Sequence, residues 1–416
     1  MKAQLFNLKL EVYKMGLIVQ KFGGSSVRDA ERVMNVANRI VETYKQGNSV
    51  VVVVSAQGDT TDDLIEKAKE INPNASKREM DMLLSTGEQI SISLLAMAIQ
   101  KLGYPVVSLT GWQIGMKTDS NYGSARISKI DTERLHKEID SNHIVIVAGF
   151  QGINKYDDIT TLGRGGSDTS AVAIAAALRA DMCEIYTDVD GVYTADPRIV
   201  PTAKKLDSIS YDEMLELASL GANVLHNRSV EMAKKYNINL TVRSSLNKNE
   251  GTVVKEVNKV EKMLVRGVAR DNDVARISIC NIEDKPGMAF KVFSLLAGKG
   301  INVDIILQSI GREGMKDISF TVSESNLEKT VELLEANKES LCFEEIKTST
   351  EYSKVSIVGS GMVNNPGVAS TMFEALYDAD INIHMISTSE IKVSVLINKK
   401  NADRAVSVIH DKFNFA

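Results

Sequence analysis

Five valines in succession, Val50 to Val54, follow Ser49 and constrain the fold more than any other stretch of the chain. A strand with one wet face alternates apolar and polar residues, and a surface helix keeps a polar side; an unbroken β-branched run does neither. It must be buried on both faces, as interior strands of a parallel sheet are when helices cover each side. The preceding residues agree. Leu17 to Phe22 is a second run of strand length, and between the two runs Asp29 to Tyr44 sets Val33, Val36, Ala37, Ile40 and Val41 at helical spacing. Strand, helix and strand make a βαβ unit.

Open parallel sheets collect ligands beyond the carboxyl ends of their strands. At each such end the sequence repeats one grammar, an apolar run followed by glycines and small hydroxyl residues. The first run feeds Lys21, Phe22, Gly23, Gly24, Ser25 and Ser26. Glycines let backbone N–H groups approach an anion, Ser25 or Ser26 can cap the following helix, and Lys21 supplies a point charge for phosphoryl oxygens. Lys21 precedes the glycines, so the stretch is neither a P-loop nor a dinucleotide fingerprint, and a tight turn with a solvated lysine is the alternative. Val54 runs into Ser55-Ala56-Gln57-Gly58-Asp59-Thr60-Thr61-Asp62, where turn and cap chemistry competes with ligand binding. Val106 to Leu109 leads to Thr110-Gly111-Trp112-Gln113, and Ile144 to Ala148 leads to Gly149-Phe150-Gln151-Gly152. The densest loop is Thr161-Leu162-Gly163-Arg164-Gly165-Gly166-Ser167-Asp168-Thr169-Ser170, followed by an Ala-rich helix to Ala180. A helix N-terminus reached through glycines and carrying an arginine fork suits a carboxylate or a phosphate.

From Glu79 to Leu102 a helical pattern rich in Met, Leu and Ile is interrupted by Gly87-Glu88. The glycine permits close approach of another backbone, and Glu88 is either a solvated surface carboxylate or a ligand group. The loop Thr187 to Arg198 contains several acids; they could bind a metal, but Asp190-Gly191 and Asp196-Pro197 read better as turns. Helical patterns at Tyr211 to Ser219 and His226 to Tyr236 and a strand at Asn239 to Arg243 complete a first domain, residues 15–250. The polar stretch 251–262 reads as a linker, and the residues ahead of Met15 as a dispensable extension.

With 416 residues, 44% of them hydrophobic, the chain can bury the cores of two or three domains. Its net charge of −5 offers no basic footprint for nucleic acid, and no apolar run is expected to span a bilayer. Met1 to Lys14 lacks the uninterrupted apolar stretch of a secretory signal, and Cys183, Cys280 and Cys342 are few, odd in number and widely spaced. Soluble small-molecule work in a reduced, cytoplasmic setting is expected.

The remainder contains an internal repeat. Asp284-Lys285-Pro286-Gly287 and Asn364-Asn365-Pro366-Gly367 open matching stretches in which Phe293 recurs as Phe373, Leu296 as Leu376, Asn302 as Asn382 and Ser309 as Ser389, each 80 residues later. A fixed period means two copies of one module. Each copy reads strand, helix, strand, strand, helix and resembles the ACT domain, a ferredoxin-like α+β unit that binds small effectors. Copy one, residues 275–348, has its closing strand; copy two runs out of chain at Ala416. An uncovered sheet edge invites aggregation. The segment 263–269 is therefore expected to close the second sheet, so that residues 263–271 plus 349–416 form one module with copy one inserted into it.

Five blocks occurring in order, KFGGSSV at 21–27, SAQGDTTD at 55–62, GFQG at 149–152, TTLGRGGSDTS at 160–170 and YTDVDGVYTADPR at 186–198, make the chain resemble an aspartate kinase over nearly its whole length from Met15. The resemblance implies an α/β fold: a three-layer αβα amino-acid kinase domain around a mainly parallel sheet, followed by two ferredoxin-like α+β ACT modules. It implies transfer of the γ-phosphoryl group of ATP, with Mg²⁺, to the side-chain carboxylate of L-aspartate, giving 4-phospho-L-aspartate, the first step toward lysine, threonine and methionine. By motif position the catalytic pair falls on Lys21 and Asp168, and the nucleotide on Lys21, Phe22, Gly23, Gly24, Thr187, Asp188, Tyr193 and Arg198. Aspartate falls between Arg164 on its α-carboxylate and Glu88 on its ammonium, with Ser55, Thr61, Gly165 and Ser167 nearby. A zwitterion needs one cationic and one anionic partner, which agrees with that pair. No dedicated protein metal cage is expected. Asn223 stands where many relatives carry a lysine that helps bind ATP, which leaves the replacing group open. The modules imply an amino-acid effector, lysine and/or threonine, held by Asp284, Met288, Ala289, Asn302, Val303, Asp304 and Gln308 with Asn382, Ile383, Thr388 and Glu390 opposite. They also imply a homodimer through the modules, with a tetramer as the alternative. A kinase for another carboxylate, such as glutamate, and a catalytically silent amino-acid sensor are the competing readings.

Overall fold

A computed structural model describes residues 16–220, 224–256, 265–362 and 365–415. Val50 to Val54 lie in the strand Ser49–Val54, and none of the five is more than 1% exposed. Burying each contributes about 1.5–3 kcal/mol, so the run anchors the domain. The strand pairs in parallel with Leu17–Phe22 on one side and Ile144–Ala148 on the other. The full sheet has eight strands in the order Ser208–Ile209, Thr252–Val254, Leu240–Ser244, Met182–Thr187, Leu17–Phe22, Ser49–Val54, Ile144–Ala148, Val106–Leu109. Its described pairs are parallel except that of Leu240–Ser244 with Thr252–Val254.

Alternation along the valine strand divides its side chains between two layers. Val50, Val52 and Val54 share a core with residues of the helices Ala30–Lys45 and Lys77–Lys101. Val51 and Val53 point the other way, toward the layer of the helix Gly166–Leu178, which packs on this strand and its neighbours. Ser76 begins the long helix with a capping-box sequence, its Oγ accepting the Glu79 N–H at 3.4 Å. This 25-residue helix corrects one expectation, since it is long and apolar enough to cross a membrane; 56% of its most apolar window is nevertheless buried inside the domain, as in a core helix.

The expected linker is corrected as well. Thr252–Val254 is a sheet strand, paired with Ser208–Ile209 and Leu240–Ser244; Thr252 Oγ1 also accepts the Val192 N–H at 2.8 Å and donates to the Leu206 carbonyl at 2.6 Å, and Val254 is fully buried. Residues 257–262 lie outside the described residues.

Of the described residues, 16–192, 205–215 and 224–256 pack as one unit and 193–204, 216–220, 265–362 and 365–415 as a second. The second unit holds two antiparallel four-stranded sheets. One comprises Ile306–Gln308, Met315–Val322, Ala275–Glu283 and Glu345–Ser349. The other comprises Gly267–Asp271, Tyr352–Val358, Lys392–Asn398 and Met385–Thr388. The strand that precedes copy one thus pairs with the first strand of copy two, in register from Gly267 with Val358 to Asp271 with Lys354. It starts at Gly267 and not at residue 263; residues 263 and 264 lie outside the described residues. The expected strand at 303–308 is confined to Ile306–Gln308. The segment 193–204 supplies Ala195 and Val200 to the core beneath the second sheet.

Candidate active site

Lys21 sits one residue from the end of its strand, on the edge of the sheet where parallel strands release their loops. Its Nζ lies 2.6 Å from Asp168 Oδ1, and the two side chains are only 12% and 13% exposed. Asp168 occupies the first turn of Gly166–Leu178, entered through Gly165 in the left-handed region at φ +67°. A Cβ on Gly165 would come within 2.2 Å of the His226 ring, so glycine is required for space as well as for backbone angle. The opening loop is equally tight. A Cβ on Gly24 would stand 2.5 Å from the Ala56 carbonyl oxygen, and the Gly58 N–H donates to the Gly24 carbonyl at 3.1 Å.

These loops enclose a cavity of about 700 Å³ whose wall includes Lys21, Gly24, Ser55, Thr61, Arg164 and Asp168. Gly165, Ser167 and Glu88 line it too. Glu88 is 2% exposed, contrary to the surface alternative. One oxygen accepts the Ala56 N–H at 3.1 Å, while the other has no hydrogen-bond partner among the described residues. Burial pushes its carboxyl up to about 8. Gly87 makes this approach possible, because even a Cβ there would meet the Ala56 side chain at 2.8 Å. Arg164, by contrast, is exposed in its loop and has no hydrogen-bond or ion-pair partner among the described residues.

Other expected residues lie elsewhere. Phe22 is fully buried and stacks on Tyr186 with ring centroids 4.6 Å apart, so its side chain belongs to the sheet and only its backbone faces the loops. Thr187 ends its strand and donates to Asp188 at 3.0 Å. Tyr193 and Arg198 belong to the second unit. Asp196 accepts the Arg198 N–H at 2.9 Å and pairs with its guanidinium at 2.7 Å, a turn as expected, and that pairing holds its carboxyl below the usual range. Asn223 lies outside the described residues. No cluster of three metal-ligating side chains occurs among the described residues.

In the second unit, Asp284 pairs with Lys316 at 2.9 Å, and Asp304 pairs with Lys354 of the other sheet, which is buried and also 3.4 Å from Asp271. Asn302, Gln308, Asn382, Thr388 and Glu390 are exposed, and Ala289 is half-buried. Met288, Val303 and Ile383 contribute side chains to the module cores and not to an open loop. Two residues that motif reading missed shape the cavity, the buried Asp81 in its wall and Arg228, which donates to the carbonyl of Leu162 in the loop leading to Arg164. Asp81 was detectable as an acid on the apolar face of the long helix, seven residues before Glu88; Arg228 carried no comparable signal.

Comparison with known proteins adds an independent line. The Amino acid kinase family model matches residues 16–244, and ACT domain models match residues 276–339 and 355–413. The chain is 53% identical to the aspartokinase of Bacillus sp. (strain MGA3) over 403 residues, covering 97% of this chain and 98% of that one. It is 52% identical to aspartokinase 2 of Bacillus subtilis (strain 168), with the same coverage. Among solved structures, E. coli aspartokinase III in complex with aspartate and ADP (R-state) is 25% identical with a TM-score of 0.81, covering 95% of this chain and 99% of that one. The same protein in complex with lysine and aspartate (T-state) gives a TM-score of 0.75 at 25% identity, covering 96% of this chain and 99% of that one.

Proposed function

The chain belongs to the aspartokinase family, and from that premise we propose how its cavity performs the family's reaction. It is an ATP-dependent aspartate kinase, feedback-regulated by an amino acid, that forms 4-phospho-L-aspartate. The β-carboxylate oxygen of aspartate attacks the γ-phosphorus, the bond from that phosphorus to the bridging oxygen breaks, and ADP leaves with the electron pair. Such transfers depend on positioning and charge stabilisation more than on covalent help from the protein. Lys21 offsets charge on the moving phosphoryl group, and Asp168, 2.6 Å away, holds its ammonium in place. Gly23 and Gly24 admit phosphate close to the backbone, and Thr187 and Asp188 contact the nucleotide. Arg164 takes the α-carboxylate of aspartate and Glu88 its ammonium, with Ser55, Thr61, Gly165 and Ser167 around the substrate. The observation that carries this reading is the unsatisfied oxygen of Glu88, in the wall of the cavity that also contains Lys21 and Asp168. A buried carboxyl with an unpaired oxygen is costly to ionise, and a bound ammonium, which donates to that oxygen, offsets the cost.

Mg²⁺ would enter on the triphosphate, since Mg²⁺ is usually bound by substrate phosphates with one or two carboxylates, and Asp168 is a carboxylate in the cavity wall. It would offset phosphate charge. We further infer that lysine or threonine acts at the loops around Asp284 and Asp304 with Asn382, Thr388 and Glu390. The exposed Ile306, Leu307 and Ile386, on edge strands of the two module sheets, favour a homodimer through the modules, which sedimentation would report as twice the chain mass. The free cysteines accord with a reducing, cytoplasmic setting.

Measuring ADP release with aspartate against glutamate, each with lysine, threonine or both, tests the whole reading. Turnover with aspartate and inhibition by an effector are expected. Preference for glutamate, or effector binding without turnover, would overturn it.

A further inference from the structure

One face of the helix Lys77–Lys101 bears both Asp81 and Glu88, seven residues and about two turns apart. Asp81 is 1% exposed and lines the cavity, yet it makes no ion pair among the described residues. Its carboxylate is satisfied by two backbone segments. The Gly123 N–H donates to it at 2.9 Å, the Thr161 N–H at 2.9 Å and the Thr161 hydroxyl at 2.7 Å. Arg228 holds the same segments through their carbonyls. Its Nη1 donates to the Leu162 carbonyl at 2.6 Å and its Nη2 to the Ala125 carbonyl at 3.0 Å. Between them, the Ala125 N–H donates to the Thr161 carbonyl at 2.9 Å.

An acid and a base therefore grip one pair of strand ends, the acid by N–H groups and the base by carbonyls, with charge-assisted bonds that are shorter and stronger than neutral ones. Two residues past Leu162 the gripped chain reaches Arg164, through Gly163, where a Cβ would lie 3.1 Å from the Gly123 carbonyl oxygen. Arg164 has no partner of its own among the described residues, so its location is set by the backbone that carries it. That backbone is tied to the helix that carries Glu88.

We infer that Asp81 and Arg228 are positioning residues for aspartate binding, which fix the loop bearing Arg164 relative to Glu88 so that the two ends of the substrate zwitterion meet both partners at once. This rests on the assignment of Arg164 and Glu88 to aspartate. Neither Asp81 nor Arg228 touches substrate. A small displacement of a positioned binding group costs disproportionately in affinity and rate, whereas a nucleotide held by other loops is insensitive to it.

The test is steady-state kinetics of the full-length chain on Asp81→Asn, Arg228→Lys, Thr161→Val, the double variant and Arg164→Ala. Asparagine keeps the shape but turns an N–H group toward a backbone donor, and lysine has no fork with which to reach two carbonyls. Each single clamp variant is expected to raise the KM for aspartate, on the order of 10-fold for Asp81→Asn, with the KM for ATP changed less than about 2-fold. The double variant is expected to raise it less than the product of the single effects, because both residues hold the same segments. Thr161→Val removes one donor and leaves the backbone, so it reads the clamp even where Asp81→Asn fails to fold. A loss shared equally by both KM values, or multiplicative effects in the double variant, would overturn the inference. Should Arg164→Ala itself leave the KM for aspartate unchanged, the assignment of the pocket has failed. Should Arg164→Ala raise it while the clamp variants do not, only the clamp has failed.

Discussion

Lys21 Nζ and Asp168 Oδ1 stand 2.6 Å apart although 147 residues separate them, one at the end of an interior strand and the other in the first turn of a helix. The helix packs directly on that strand from one face of the sheet, so the ion pair is built by the core and not by a local loop. Lys21→Ala is expected to leave the fold intact and lower kcat on the order of 100-fold or more, as removal of one preorganised charge-stabilising group does. Asp168→Asn should lower kcat in the same direction while circular dichroism stays native. A folded Lys21→Ala variant with near-normal turnover is the result that contradicts the assignment.

Glu88 predicts a pH dependence. Its carboxyl is raised to about 8 by burial, so in the free protein it is mostly protonated at neutral pH. Binding an ammonium favours the ionised form, hence binding releases a proton and the KM for aspartate should fall as pH rises toward 8 and then level off. Glu88→Gln should raise this KM and abolish its slope with pH. The stability sign is the reverse. The folded state binds more protons than the unfolded one between the ordinary value of 4.5 and about 8, so the native protein loses stability across that window as pH rises. Melting temperatures of Glu88→Gln relative to the native chain should accordingly increase from pH 5 to pH 8. A flat difference would mean that Glu88 is already ionised in the free protein.

Gly165 offers a packing test. Alanine there meets the His226 ring and also has to hold φ at +67°, which costs an ordinary residue about 1–2 kcal/mol. Gly165→Ala should lower the melting temperature and the turnover together. Adding His226→Ala removes the ring and not the backbone strain, so the double variant should recover part of the loss. Full recovery would show that the left-handed angle is costless here, and no recovery that the ring is not the obstacle.

What could be read from the sequence was whatever repeats or alternates locally. The valine run fixed an interior parallel strand, the 80-residue period gave two modules, and the strand count assigned the segment 263–269 to the second sheet, where the structure has Gly267–Asp271. Lys21 stood out through the glycines that follow it, whereas Asp168 was singled out only by the resemblance of its block to aspartate kinases; the structure brings the two within 2.6 Å. Contacts set by the third dimension were not. Phe22 looked like part of a nucleotide loop because it adjoins Gly23, but alternation turns its ring into the core against Tyr186. Thr252–Val254 looked like linker because polar residues surround it, but its backbone pairs with Ser208–Ile209 and Leu240–Ser244, strands distant in sequence or adjacent only after folding. Arg228 sits in a helix with no unusual pattern, and only the approach of Leu162 and Ala125 gives it a role.

The segment 193–204 follows a strand of the kinase sheet and yet packs with the second unit, where one buried side-chain bond secures it. Thr194 Oγ1 lies 2.9 Å from His410 Nε2, in the last turn of the helix Ala402–Phe413. The same oxygen accepts the Lys204 N–H at 2.9 Å, and the Thr194 carbonyl accepts the Val268 N–H at 2.7 Å. With its oxygen accepting from Lys204, the hydroxyl proton is free to go to Nε2, which requires a neutral imidazole. Burial lowers the His410 pKa from its ordinary value of 6.5. The unfolded chain therefore binds the extra proton first, and the stability this group contributes is complete above about pH 6.5 and lost as pH falls below it. His410→Gln keeps a side-chain acceptor without the titration, so it should flatten this acid limb of the stability curve. His410→Ala should speed amide exchange at 194–203 at neutral pH, because the seat of Thr194 loses its partner. Both effects are read by hydrogen exchange and by melting at pH 7.5 and 5.5. Unchanged exchange in His410→Ala, or an acid limb that survives in His410→Gln, would show that Ala195 and Val200 hold the segment without the bond.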